Sequence, residues 1–201
     1  MRHALVIGLL SLVVVLVSPC LGRSEATPGP ESADSSYALS LYGGALTDED
    51  WRKSIGGQAD FVESQLIVAA VQRSLWGESS DPWSIGVEAN VAKHFGIQEH
   101  WEFNLPVLTL NWHRFPWNET LRQRVGFGAG PSVTTQRPKA EEEINPSSRH
   151  LLLYWHLETT LALPQSPWSV LFRLHHRSTA YGVFGDEGGS NALTTGIRYH
   201  F

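Results

Sequence analysis

Residues 149–163, "RHLLLYWHLETTLAL", alternate two kinds of side chain with few breaks. Odd positions carry Leu151, Leu153, Trp155, Leu157, Thr159, Leu161 and Leu163, and even ones include His150, Tyr154, His156, Glu158 and Thr160. Successive side chains of a β-strand point to opposite faces, so a period of two predicts a strand with one nearly uncharged and one ionisable face. Residues 168–178 repeat it, with Trp168, Val170, Phe172 and Leu174 set against Ser169, Leu171, Arg173, His175 and Arg177. Residues 191–201 do so again, with Leu193, Thr195, Ile197, Tyr199 and Phe201 set against Thr194, Arg198 and His200. Runs of about ten alternating residues, separated by turn residues, are the mark of a sheet that closes on itself in a bilayer. Closure satisfies every backbone polar group without water.

Upstream the pattern is noisier. Residues 83–95 set Ile85, Val87, Ala89 and Val91 against Ser84, Glu88, Asn90 and His94. In 99–113, Trp101, Phe103, Leu105 and Val107 share one parity, and Leu108, Leu110 and Trp112 the other, so a bulge is expected near Pro106. Strands also fit 36–46, 61–75 and 121–134, which brings the count to eight. "GESSDP", "PWNE", "PQSP" and the acidic "PKAEEEINPSS" supply turn and loop chemistry between them. Glu63, Glu88, Glu102, Glu158, Arg124, Arg173, Arg177 and Arg198 fall on the polar faces.

A soluble sandwich or lipocalin also alternates, with its apolar face inward and its polar face in water. Three features favour the membrane. The chain begins like an exported one, Trp and Tyr cluster near strand ends as interfacial girdles do, and Phe201 closes an alternating strand. A terminal aromatic of this kind resembles the insertion signal read by the barrel-insertion machinery of bacterial outer membranes. The expected fold is all-β, a single eight-stranded antiparallel transmembrane β-barrel of the bacterial outer membrane over residues 36–201. Eight strands leave an interior filled by side chains, so transport through it is not expected.

The export reading rests on Arg2 and His3 ahead of an apolar run, Ala4 to Val17, broken by Ser18-Pro19. That is a signal peptide over residues 1–22, with cleavage possible as late as Ala26, and the run is too short to span a bilayer as a helix. The one cysteine, Cys20, falls in the cleavage zone, where Pro19 just before it makes a poor lipoprotein signal. Residues 23–35 read as a flexible leader. A net charge of −5 with no basic stripe excludes nucleic acid as a natural partner. The sequence holds no CxxC pair, HExxH, phosphate loop or GxSxG.

Within this frame "RLHHRSTAYG", residues 173–182, is unusual. His176 and Ser178 share parity with Val170 and Phe172, which puts a polar pair on the lipid side. A polar pair in lipid costs free energy unless something there uses it. His-x-Ser on the penultimate strand, a Gly-rich turn and a last strand, "HHRSTAYGVFGDEGGSNALTTGIRYHF", resemble the lipid A 3-O-deacylase (PagL-like, acyloxyacyl hydrolase) family of outer-membrane β-barrels, with this chain as a divergent member. "KHFGIQEHWEFN" and "FPWNE" look like motifs of a divergent branch of the same hydrolases.

The resemblance implies a carboxylic ester hydrolase that removes an ester-linked acyl chain from lipid A, lipopolysaccharide or a related glycolipid. Ser178 would be the nucleophile and His176 its general base, with no metal or other cofactor required. The family has Asn after the serine, to help hold the oxyanion; here Thr179 stands there. The family's acid sits fourteen residues after the histidine, a count that lands on Ser190, which leaves Glu187, or alternatively Asp186, as the acid. Two other function classes fit the pattern: a non-catalytic outer-membrane barrel serving envelope integrity or adhesion, and a soluble periplasmic lipid-binding barrel. His100, His150, His156, His175 and His200 are expected in an interior hydrogen-bond network, and Trp83, Trp101, Trp117 and Trp168 as girdle anchors. Glu141, Glu142 and Glu143 are expected in a solvated loop.

Overall fold

The structure is a computed structural model that describes residues 36–48, 51–77, 81–144, 148–185 and 188–201. The expected signal peptide, leader and Cys20 lie outside these residues, as do Asp186 and Glu187.

The alternating stretches form the staves of a closed antiparallel barrel: β1 (Tyr37–Thr47), β2 (Phe61–Trp76), β3 (Trp83–Gly96), β4 (Trp101–Asn104), β5 (Leu108–Trp112), β6 (Arg122–Thr134), β7 (Leu151–Ala162), β8 (Trp168–Ser178) and β9 (Gly189–His200). Each strand pairs with its neighbours in sequence, except that β4 and β5 lie end to end between β3 and β6, and β9 pairs with β1, so no edge is left open. Tyr37 and Phe201 lock that seam by exchanging backbone hydrogen bonds at 3.2 and 3.0 Å. β4 and β5 are halves of one stave, which makes the barrel eight-stranded as its sequence predicts.

The break in that stave is the expected bulge. Asn104 faces Asn90 and Ser132, while Thr109 faces Gly86 and Gly128, so five steps along this stave match four along each neighbour. One extra residue flips the parity, and Val107 and Leu108 consequently both point outward, 59% and 49% exposed. The Pro106 carbonyl accepts from the Glu88 amide at 2.9 Å, so the ladder resumes without an orphaned carbonyl.

The sidedness is that of a membrane barrel. Leu39, Leu41, Ile67, Phe172 and Ile197 are exposed on the outside, while Glu88, Glu102, Glu158, Arg173, Arg177 and Arg198 are buried inside. A soluble barrel would have the reverse arrangement, so the soluble reading fails here. Glu63 is a correction: it lies on the outward parity of β2 with Phe61 and Ile67, and is exposed. Aromatic pairs band the end that holds Tyr37 and Phe201, Trp76 with Trp83 at 4.7 Å and Trp168 with Tyr199 at 4.8 Å between ring centres. At the other end Lys93 reaches over Phe95 and Trp101. Trp83, Trp101, Trp117 and Trp168 are all exposed, as girdle residues are.

A charged lattice fills the interior. Arg173 binds Glu88 through both terminal nitrogens at 2.6 and 2.7 Å, Glu158 at 2.6 Å and the Tyr42 hydroxyl at 2.7 Å. Arg198 reaches Glu158 at 2.6 Å and Ser40 at 2.7 Å. Among the described residues two short helices accompany the strands, α1 (Trp51–Ile55) and α2 (Lys139–Ile144). Glu141 of α2 is 1% exposed and takes a 2.6 Å bond from Arg177, so it is part of the interior rather than of a solvated loop. Glu142 is half-buried and pairs loosely with Arg137 at 3.9 Å. His100, His156 and His175 are interior as expected, but His150 is exposed and His200 only half-buried.

Candidate active site on the outer face of β8

The barrel has two unlike ends. The β2–β3, β5–β6 and β7–β8 connections share the end that holds Tyr37 and Phe201, while the β1–β2, β3–β4, β6–β7 and β8–β9 connections share the other. Outer-membrane barrels put short turns in the periplasm and longer loops outside. His176 and Ser178 lie at the long-loop end, the last outward positions of β8.

Register builds the surroundings. His176 is directly opposite Trp155 of β7 and Asn191 of β9, and Asn191 is opposite Thr47 of β1. One row of outward side chains therefore runs Thr47, Asn191, His176, Trp155, with neighbouring Cβ atoms about 4.5–5.5 Å apart. The next row is Gly189, Ser178, Leu153. Along one strand the i, i+2 spacing puts the His176 and Ser178 Cα atoms about 6.6 Å apart on the same face. Side chains so spaced are neighbours on one face of the strand.

Asn191 orients the histidine. Its Oδ1 lies 2.5 Å from His176 Nδ1. A carboxamide oxygen only accepts, so Nδ1 carries the proton and Nε2 is the basic nitrogen. That is the tautomer a general base for Ser178 needs. Trp155 packs against the same imidazole, with ring centres 4.3 Å apart, and so limits its rotation. Ser190, the residue reached by counting from the family pattern, instead bonds the interior carboxylate of Glu141 at 2.9 Å. Sequence spacing missed Asn191 because the position facing His176 depends on the register across the β8–β9 turn.

Small residues and strained backbone lie beside the hydroxyl. Gly189 has φ of 140°, and a Cβ there would meet the Arg177 carbonyl oxygen at 2.2 Å. The flank of Ser178 toward β9 is thus open by necessity. Thr179 is buried and its carbonyl accepts from Phe184 at 2.9 Å. Ala180 and Tyr181 then take φ of 52° and 55°, followed by Gly182 at 94°. Two successive L-residues in the left-handed region cost about 1–2 kcal/mol each, a strain typical of functional turns. The amides of Ala180, Tyr181 and Gly182 donate to no backbone carbonyl among the described residues. An oxyanion bound at this turn would find these amides as its nearest backbone donors.

The row is walled by aromatics. Trp51 of α1 meets Trp155 edge-on at 5.5 Å, and Phe127 of β6 approaches Trp155 at 6.1 Å. Ser54 of α1 bonds Thr47 at 2.9 Å, which ties the helix to the far end of the row. The Arg52 guanidinium lies 5.0 Å over Trp51, and both Arg52 and Lys53 are exposed. Tyr181 and Val183, in the segment that follows Ser178, are strongly exposed.

No protein-family model matches the chain, and no curated protein matches it in sequence. Solved structures do. The outer membrane enzyme PagL aligns with a TM-score of 0.59 and 14% identity over 82% of this chain and 99% of its own. Neisserial surface protein A aligns at 0.49 and 8% identity, over 82% of this chain and 96% of its own. The N-terminal β-barrel domain of Pseudomonas aeruginosa OprF aligns at 0.47 and 12% identity, over 84% and 99%. At such identities the likeness is one of fold. The protein is an eight-stranded barrel of the outer-membrane type.

Proposed function

We propose that this protein is an outer-membrane ester hydrolase that removes an acyl chain from lipid A or a related glycolipid, with Ser178 as nucleophile and His176 as general base. The observation that carries this reading is the outward row, in which Asn191 sets the His176 tautomer beside a serine facing lipid. In the proposed reaction His176 Nε2 takes the Ser178 proton as Oγ attacks the ester carbonyl. Amides of the 180–182 turn receive the oxyanion. The protonated imidazole then passes its proton to the departing sugar oxygen, and water releases the acid from the acyl-enzyme. The aromatic wall of Trp155, Trp51 and Phe127 suits an acyl chain, and Arg52 and Lys53 suit an anionic headgroup. Export by the expected signal peptide and insertion through Phe201 would bring the barrel to that substrate.

The test is direct. Purified protein incubated with lipid A in detergent should lower the lipid mass by one acyl chain with release of the free acid. Intact lipid A after prolonged incubation with correctly folded barrel would favour the non-catalytic reading, which the departure at Thr179 supports. Asn191 has its own test, because it positions His176 rather than touching substrate. Asn191→Leu should lower kcat roughly 100-fold with little change in KM, and Asn191→Asp should restore most of the rate. Equal losses for Leu and Asp would remove the positioning role. Glu187→Gln, run beside them, reads whether the acid expected from the sequence contributes at all.

A further inference from the structure

A second cluster of chemistry-bearing groups lies inside the barrel, apart from the ester-cleaving pair. His94 ends the inward face of β3, His100 lies in the turn that follows, and Glu102 is the first inward residue of β4. All three are 1–3% exposed, and one donor atom from each lies within 4.8 Å of the other two. The two imidazoles stack, 4.2 Å between centres and 13° from parallel.

The hydrogen bonds leave one atom of this cluster unused. His94 donates from Nε2 to Glu102 Oε2 at 2.9 Å and accepts at Nδ1 from the Gln98 amide at 3.2 Å. Glu102 Oε1 is held by His175 Nε2 and by Asn104, both at 2.7 Å. His100 Nε2 is buried with no hydrogen-bond partner. Burial without a partner leaves the hydrogen-bonding capacity of this nitrogen unmet, which is costly. A carboxylate already oriented on its far oxygen by a second histidine is how metal sites brace a ligand.

We propose that His94, His100 and Glu102 form a buried site for one divalent transition-metal ion, zinc being the best match to two imidazoles and a carboxylate. A tetrahedral ion with bonds of about 2.0–2.2 Å needs donors roughly 3.3 Å apart. His94 Nε2 and Glu102 Oε2 are already at 2.9 Å, so the movement required is a splaying of the stacked rings. The His94 proton moves from Nε2 to Nδ1 as the metal takes Nε2. The Gln98 amide turns over so that its oxygen accepts that proton. Water completes the coordination.

The location gives the ion a structural role. Glu102 lies 4.0 Å from Arg177, which holds Glu141 of α2. The ion would therefore join the β3–β4 turn to α2 at the long-loop mouth of the barrel. Nothing in the ester chemistry of His176 and Ser178 requires it.

The whole protein, refolded or extracted and stripped with chelator, is titrated with zinc and with cobalt(II). One equivalent should bind saturably, raise the unfolding temperature and, for cobalt, develop the visible absorption of a low-coordinate nitrogen–oxygen site. X-ray absorption at the zinc edge should show two imidazoles. His100→Phe, which keeps the ring stack on His94, should abolish the shift and the spectrum. Absence of any saturable binding by folded wild-type protein overturns the proposal. So does a zinc edge without imidazole, or a folded His100→Phe barrel that binds as the wild type does. Lipid A hydrolysis measured on the stripped protein keeps the two proposals separate, because it should persist.

Discussion

Ser178→Ala and His176→Ala should each abolish the loss of acyl mass from lipid A, lowering the rate by a factor on the order of 10⁴–10⁶. The size follows from the division of labour. Removal of the hydroxyl leaves no atom to form the acyl-enzyme, and removal of the imidazole leaves the proton nowhere to go. The donors of the 180–182 turn would still bind an oxyanion, but with nothing attacking the carbonyl their contribution is small. Neither change should disturb assembly. Both side chains are half-buried on the outward face, remote from the interior lattice, so heat-modifiable migration and folding yield should match the wild type. Lipid A mass spectrometry from cells expressing each variant is the measurement. Continued deacylation by Ser178→Ala would end the serine mechanism, whatever the status of the barrel.

The second large effect is on stability. Arg173→Met should destabilise the barrel by about 3–5 kcal/mol, read as a fall in the unfolding midpoint in urea with lipid vesicles. Arg173 is 2% exposed and holds Glu88 and Glu158 at 2.6 Å each. Its loss leaves two buried carboxylates facing each other, with Arg198, 3.9 Å from Glu88 and 2.6 Å from Glu158, and Arg124, 3.6 Å from Glu158, as the remaining close cations. The cost comes from stranding charge and not from the worth of the pair, so Arg173→Met combined with Glu88→Gln should recover much of it. If the double variant is no more stable than the single one, the lattice does not work as an electrostatic unit. The same lattice fills the interior, so no variant of this kind is expected to open a pore.

Much of this was legible in the chain. The alternation of β7, β8 and β9 needed only a period of two, because the strand itself dictates which side chains share a face. The slip at Pro106 was legible for the same reason, as a change of parity within one stretch. Which face carried the arginines and glutamates did not by itself say inside from outside; the export-like start, the Trp and Tyr near strand ends and Phe201 favoured a membrane barrel. His176 and Ser178 were separable from His175 and Arg177 by parity alone.

The sequence by itself thus determined the strands, their two faces and the outward placement of the pair. Glu63 escaped because the neighbours of a lone glutamate in β2 do not say which parity meets lipid. Tertiary structure alone decided what stands beside what. Asn191 faces His176, Trp155 packs on it, and Thr47 closes the row, because cross-strand register depends on turn lengths and the bulge rather than on any period within a strand. The same registers carry Glu141 from an acidic loop into contact with Arg177, and bring His94, His100 and Glu102 together. Periodicity belongs to one strand at a time, whereas a site belongs to several, and the distances between strands exist only once the barrel has closed.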